Sequence, residues 1–262
     1  MSSFIITGST KGIGFALAKY AASQGHQVLL SGRDQAALDA AVEALGDQVI
    51  GQVADVSRKA DVQALWDRAS EAFGRVDVWI NNAGVAHTTK AITDYDEAEV
   101  QRMVSSNLLG TIHGCQVAAA GMQAQGAGRI FNILGGGSDG EYFPGMGIYG
   151  STKRGLDYLS RALAKELKDS GVLVGRVRPG MVVTEGMRRE IAADPANFEK
   201  SRRIMNILGD APDTVAPYLV EQMLAMTKTG GKIAWLSGGK IAGRFLLARI
   251  RPRADLFADV AT

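Results

Sequence analysis

The sequence predicts a single α/β domain, a doubly wound, Rossmann-type parallel sheet of about seven strands with helices on both faces. Three observations carry this. Short apolar runs alternate with longer stretches of helical period, the rhythm of βαβ units. The first apolar run leads straight into a glycine-rich turn and then a helix. The 262 residues show no composition break, internal repeat or low-complexity tract, which suits one unit of this kind.

The elements follow in order. Runs at 4–7, 27–31, 48–53, 76–81, 129–134, 172–177 and 232–236 are rich in Val, Ile and Leu and too short for helices, so they are the expected strands. Between them, 15–23, 34–45, 59–73 and 149–170 carry helical period, the last with Leu156, Leu159, Leu163 and Leu167 on one stripe that would cover a sheet face. Asp34 is placed to cap the helix that runs on from it. Residues 185–210 break the rhythm. This charged, methionine-containing segment is the expected substrate lid, with Met187, Phe198, Met205 and Ile207 either shaping an apolar pocket or packing as core between two short helices. The main domain is expected to span 1–239. Residues 240–262 form a basic, amphipathic extension, placed either against a neighbouring subunit or on a membrane surface, the first being favoured.

Composition narrows the function. With 29 basic and 27 acidic side chains the net charge is +2, too small to predict nucleic acid as a partner. One cysteine, Cys115, allows no internal disulfide, and His26, His87 and His113 lack metal-ligand spacing, so no metal is expected. The chain reaches Phe4-Ile5-Ile6 with no charged leader, and no apolar run is long enough to span a bilayer. The expectation is a soluble cytoplasmic protein.

Thr7-Gly8-Ser9-Thr10-Lys11-Gly12-Ile13-Gly14 lies between the first strand and the first helix. Glycines there let the backbone approach a pyrophosphate, which free N–H groups and the macrodipole at the helix start would hold. The spacing departs from G-x-G-x-x-G, so the turn alone would also fit a packing role. The second strand ends Leu30-Ser31-Gly32-Arg33, with glycine where a ribose-binding acid would stand and a cation after it. Arg33, with Lys11 nearby, would attract a 2′-phosphate, which predicts NADP(H) over NAD(H).

Residues Gly136-Gly137-Ser138-Asp139-Gly140 match the G-x-S-x-G elbow of serine hydrolases, while Tyr149 and Lys153 stand four apart on one face of an expected helix. A hydrolase triad of that type needs a histidine downstream of its serine, and all three histidines precede Ser138. The tyrosine–lysine pair therefore decides the chemistry.

Taken together, Thr7-Gly8-x-x-x-Gly12-Ile13-Gly14, Asn81-Asn82-Ala83-Gly84, Asn107, Tyr149-x-x-x-Lys153 and Pro179-Gly180-x-x-x-Thr184 resemble, in order and spacing, the short-chain dehydrogenases/reductases. The resemblance implies an NADP(H)-dependent oxidoreductase reducing an aldehyde or ketone to an alcohol, commonly assembled as a dimer or tetramer. It implies that Tyr149 protonates the carbonyl oxygen, and that Lys153 holds the nicotinamide ribose and lowers the tyrosine pKa. It implies further that Asn107 holds a relay water and that Asp55, with Val56 beside it, meets the adenine. Asn81, Ala83 and Gly84 would line the cofactor, and Pro179, Gly180, Val182 and Thr184 would meet its nicotinamide side.

The family's catalytic serine lies 13 residues before the tyrosine, a position held here by Gly136, whereas Ser138 lies 11 before. Ser138 is taken as the displaced serine; if it points away, Tyr149 alone, Asp139 or a main-chain N–H must position the carbonyl. Phe131-Asn132-Ile133, Gly135-Gly136-Gly137-Ser138, Tyr149-Gly150-Ser151-Thr152-Lys153 and Ile204-Met205-Asn206-Ile207-Leu208 are similar to the chlorophyll(ide) b reductases, a branch that shares the shifted serine and reduces a formyl group on a large flat macrocycle. A non-catalytic NADPH-binding sensor or scaffold stays open as the alternative.

Overall fold

The computed structural model describes residues 1–251 and 253–258. Seven parallel strands form one sheet in the order β3-β2-β1-β4-β5-β6-β9, where β1 is Ser3–Ile6, β2 Gln27–Gly32, β3 Val49–Val53, β4 Val78–Asn81, β5 Gly128–Ile133, β6 Val172–Arg178 and β9 Lys232–Ala234. Strand order reverses between β1 and β4, the place where a doubly wound sheet opens a crevice at its carboxyl ends.

Alternation along β1 shows why the strands read as unbroken apolar runs. Phe4 and Ile6 face one core layer with α1 (Gly12–Ser23), and Ile5 faces the other, formed with α3 (Lys59–Phe73); all three side chains are fully buried. On the first face α2 (Gln35–Leu45) starts at Asp34, whose carboxylate accepts from Ala37 N at 2.8 Å. On the second, α4 (Glu97–Met103) and α5 (Gly110–Gln125) are joined by a π turn, Val104–Leu109. The helix α6 (Gly147–Glu166) lies beside β5 and β6.

Beyond β6 the chain leaves the sheet. The two-residue strands β7 (Met181–Val182) and β8 (Gly209–Asp210) pair with each other, and between them stand α7 (Glu185–Ala193) and α8 (Pro195–Leu208). The segment returns as α9 (Pro212–Ala225), packed on α1, then β9 and α10 (Gly238–Leu247). Met187, Phe198 and Met205, together with Val183 and Ile191, form a small core of the 185–210 segment; of the two expectations for these side chains, packing between helices is the one observed.

The extension at 240–262 divides. Arg244 turns inward to the buried Asp210 carboxylate at 2.8 Å, while Phe245, Leu246, Leu247 and Ile250 face solvent. Its positions 252 and 259–262 lie outside the described residues.

Candidate active site

The glycine turn is built to approach a ligand. Gly8 and Gly12 adopt φ +62° and +60°, and a Cβ on Gly8 would stand 2.7 Å from Ala83 Cα. A Cβ on Gly14 would meet Asn82 Nδ2 at 2.4 Å, because the Asn82 amide donates to the carbonyls of Thr7 and Gly8. Thr7 answers from the other side, its Oγ1 accepting from Asn82 N and Ala83 N. Asn82 thus satisfies main-chain groups and pins the turn to the end of β4. Ser9 does likewise with β2: its hydroxyl donates to Ile6 O and accepts from Ser31 N, so of the predicted turn residues its side chain faces inward. Thr184 caps α7 and brings its methyl within 3.5 Å of the place a Gly12 Cβ would take.

The turn therefore fits a dinucleotide. Arg33 at the end of β2 is exposed and makes no hydrogen bond or ion pair among the described residues. Lys11, also exposed, begins α1. A side chain at Gly32 would run into the Thr10 methyl at 2.6 Å, so an acid there would require Thr10 to move. Burial raises the Asp55 pKa, but hydrogen bonds from Ser57 and the charges of Arg33 and Arg58 outweigh it and hold the carboxylate below its ordinary value. Val56, buried behind it, packs where a Gly110 Cβ would otherwise stand.

Asn81 turns its side chain inward. Its side chain accepts from Trp79 Nε1 at 2.7 Å and donates to Asn132 Oδ1 at 2.8 Å; Asn132 donates in turn to Ser160 on α6 at 2.9 Å. The amide points into the core, leaving only its main chain at the strand end. This buried network links β4, β5 and α6. Asp157 adds a second tie, accepting from Arg176 on β6 at 2.8 Å.

Those ties set the register of the helix that carries Tyr149 and Lys153. Lys153 is buried, and its Nζ donates to Ile133 O at 3.0 Å and sits 5.7 Å from the Tyr149 ring centroid. The Tyr149 ring is half-buried, yet its hydroxyl lies so close to the end of β5 that a Cβ on Gly135 would stand 2.3 Å from it. Burial pushes the Tyr149 phenol up to about 12 and the Lys153 ammonium down to about 8. Burial thus shifts the phenol in the direction opposite to the lowering expected from Lys153.

Asn107, in the π turn, holds the loop after β4 to α6: Oδ1 accepts from Val85 N at 2.8 Å, and Nδ2 donates to Val85 O and Thr152 Oγ1. A Cβ on Gly84 would stand 3.0 Å from Asn107 Oδ1 and 3.8 Å from Lys153 Nζ, so glycine keeps a gap between them. Nearby, Pro179 leads into Gly180 at φ +79°, and Val182 packs against the core layer that holds Phe4 and Ile6. On α7, Glu190 accepts from Thr88 N at 2.7 Å, which lays α7 against the loop after β4.

Ser138 makes no hydrogen bond to Tyr149 among the described residues. Its side chain is fully buried, and the hydroxyl has no hydrogen-bond partner, Tyr149 included. Neighbours pull the loop outward: Asp139 pairs with Arg178 and with Lys232, Glu141 pairs with Arg178, and Arg154 donates to Ser138 O at 3.0 Å. Asp139, tied to the ends of β6 and β9, is equally unavailable to a substrate. If Ser138 is structural, Ser138→Ala removes an unsatisfied buried hydroxyl, for which the desolvation cost is about 1–3 kcal/mol. The expected outcome is kcat within twofold of the parent and an unchanged or raised Tm; a drop of about 10² in kcat would return the serine to catalysis.

A family model described as short chain dehydrogenase matches residues 3–195. The chain belongs to the short-chain dehydrogenase/reductase family. Members are oxidoreductases that use a nicotinamide dinucleotide. A chlorophyll(ide) b reductase NOL of Oryza sativa subsp. japonica is 37% identical over 232 residues, covering 85% of this chain and 66% of that protein. The chain thus spans slightly under two thirds of that longer relative. The subunit BbsD of (2S)-[(R)-hydroxy(phenyl)methyl]succinyl-CoA dehydrogenase from Thauera aromatica is 34% identical, covering 90% of this chain and 95% of its own. Among solved structures, a 3-ketoacyl-(acyl-carrier-protein) reductase from Brucella melitensis complexed with NADH superposes with a TM-score of 0.80 at 26% identity, over 91% of this chain and 98% of that one.

Proposed function

We propose that the protein reduces a carbonyl group, aldehyde or ketone, to an alcohol at the expense of NADPH, with Tyr149 as the proton donor. The observation that carries this is the placing of the Tyr149 hydroxyl and the Lys153 ammonium on one face of α6, at the carboxyl ends of β4 and β5 and beside the glycine turn. The bound nicotinamide supplies the hydride. Tyr149, protonated at neutral pH, gives its proton to the carbonyl oxygen as charge develops there. Lys153 holds the cofactor ribose, and Asn107 holds a water, in the gap at Gly84, that relays protons from Lys153 to solvent. With Ser138 buried, orienting the carbonyl falls to main-chain N–H groups of Gly135, Gly136 and Gly137, which meet no acceptor among the described residues.

Relatives named chlorophyll(ide) b reductase support a formyl group on a large ring system as the substrate class. The test is a panel of aldehydes and ketones, ring-bearing formyl compounds included, with NADPH oxidation as readout. Turnover of at least one is expected. Tight NADPH binding with no turnover across the panel would favour the non-catalytic sensor.

Arg33, exposed beside a glycine rather than an acid, supports NADPH over NADH. A hydrogen bond to a charged partner contributes about 1.5–3 kcal/mol, so Arg33→Ala should cut kcat/KM for NADPH by about 10- to 100-fold and leave NADH within threefold. A parent enzyme with no NADPH preference would overturn the cofactor assignment.

A further inference from the structure

We propose that the C-terminal segment is a strap holding the substrate lid, and that Phe257 is a positioning residue for it. The lid runs between β7 and β8, and its base is closed by the pairing of those strands and by Val183 N donating to Asp210 O at 2.9 Å. The two helices, of 9 and 14 residues, share a small core that Phe257 and Leu256 complete from outside the segment. Phe257 is fully buried within it, edge-on to Phe198 with centroids 5.1 Å apart, among Val183 and Ile191.

The main chain around Phe257 is bound to both lid helices. Arg188 on α7 donates to Leu256 O at 3.0 Å; on α8, Asn206 accepts from Leu256 N at 2.8 Å, and Arg202 pairs with Asp255 at 2.8 Å. At the base, Arg253 donates to Ile207 O and pairs with Asp210 at 2.7 Å, on the carboxylate that also takes Arg244 of α10 and the Trp235 indole. A segment far along the chain thus bridges α7, α8 and β8. The same lid touches the site at two ends, through Thr184 at the glycine turn and Glu190 at Thr88. Loosening the strap therefore moves the wall that faces the substrate while leaving the turn that holds the dinucleotide, which is anchored by Thr7, Ser9 and Asn82.

This rests on the proposed reductase reading for its kinetic consequence and on the lid alone for its physical one. The experiment is hydrogen exchange on the full chain and on Phe257→Ala and Phe257→Leu, with NADPH titration by fluorescence on all three. In Phe257→Ala, amides at 185–208 should exchange at least tenfold faster, β1 and β4 should be unchanged, and the NADPH Kd should stay within twofold. Phe257→Leu, which refills most of the space, should restore slow exchange. For a carbonyl compound that the parent reduces, KM should rise at least fivefold in Phe257→Ala with kcat within threefold. Unchanged exchange at 185–208, or equal acceleration in the lid and the sheet, would overturn the strap. Faster lid exchange in a chain that reduces no carbonyl would uphold the strap and sink the reductase reading instead.

Discussion

Tyr149→Phe will bind NADPH like the parent and lose about 10²–10⁴-fold in carbonyl reduction, the range a positioned general acid contributes. The substitution removes one oxygen from a ring held by α6, and α6 keeps its register through Asn132–Ser160 and Asp157–Arg176, neither of which involves the ring. Protein fold and glycine turn should therefore be untouched, so that a loss in kcat reads as chemistry. The parent's pH profile carries the same assignment. A phenol pushed up to about 12 stays protonated through neutral pH, so it limits reduction only in strong alkali. Oxidation of the product alcohol by the oxidised nicotinamide needs the phenolate, so its rate should climb with pH toward that value. Lys153 sets a further sign. Its folded pKa, about 8, lies below the ordinary 10.5, so between those values the unfolded chain binds a proton that the folded one does not, and stability rises with pH across the window. A Tyr149→Phe enzyme that reduces carbonyls at the parental rate would remove the tyrosine from the mechanism.

How far the sequence foretold this site depends on how local each residue's task is. The seven strands are legible because parallel strands covered on both faces carry apolar side chains in both directions, as Phe4, Ile5 and Ile6 do; their ends drift by one or two residues where polar caps replace ladder bonds. The glycine turn is legible because Gly8 and Gly12 occupy positive φ, a demand that only glycine meets without strain. The helix α5 offers no such signal. Its face contains Gly114, Ala118 and Ala119, and small residues let it lie close on β4, where a Cβ on Gly114 would strike Asn81 Oδ1.

The directions of the Ser138 and Asn81 side chains are not legible in the sequence, for one reason. Each side chain's direction is decided by partners distant in the chain, Arg178 and Lys232 pulling the loop at 139–141 in one case, Asn132 and Trp79 capturing the amide in the other. A polar Asn132 inside the run Arg129-Ile130-Phe131-Asn132-Ile133 was the available hint that a buried amide network exists. Phe257 gave no hint at all, because an isolated aromatic near a chain end has no period to betray its burial.

Gly135→Ala should lower kcat by about 10²-fold with NADPH affinity within twofold, although it adds a single methyl group. The added Cβ would stand 2.3 Å from the Tyr149 hydroxyl oxygen and 3.1 Å from Cζ, so one side must give way. The strand side is held: Leu134 N donates to Val177 O at 2.7 Å, and Ile133 O accepts from Lys153. The helix backbone is held by the Asn132–Ser160 and Asp157–Arg176 ties. What remains free is the tyrosine side chain, which must swing its hydroxyl by roughly an ångström, a displacement of the size that costs about 10²-fold when a catalytic group is misaligned. Gly136→Ala is the matched control. Its Cβ meets the Met146 sulfur at 3.2 Å, the methyl end of that side chain at 3.4 Å and Phe143 Cδ2 at 3.5 Å, side-chain atoms that can yield, so near-parental kcat is expected. The pair separates geometry from glycine loss, since both substitutions stiffen the same turn by one residue. If both variants reduce carbonyls like the parent, the hydroxyl of Tyr149 does not work at the place where it lies against Gly135. If both fail alike, turn flexibility governs the rate. Loss at 135 alone places the reacting oxygen beside Gly135, at the position where the structure holds the phenol.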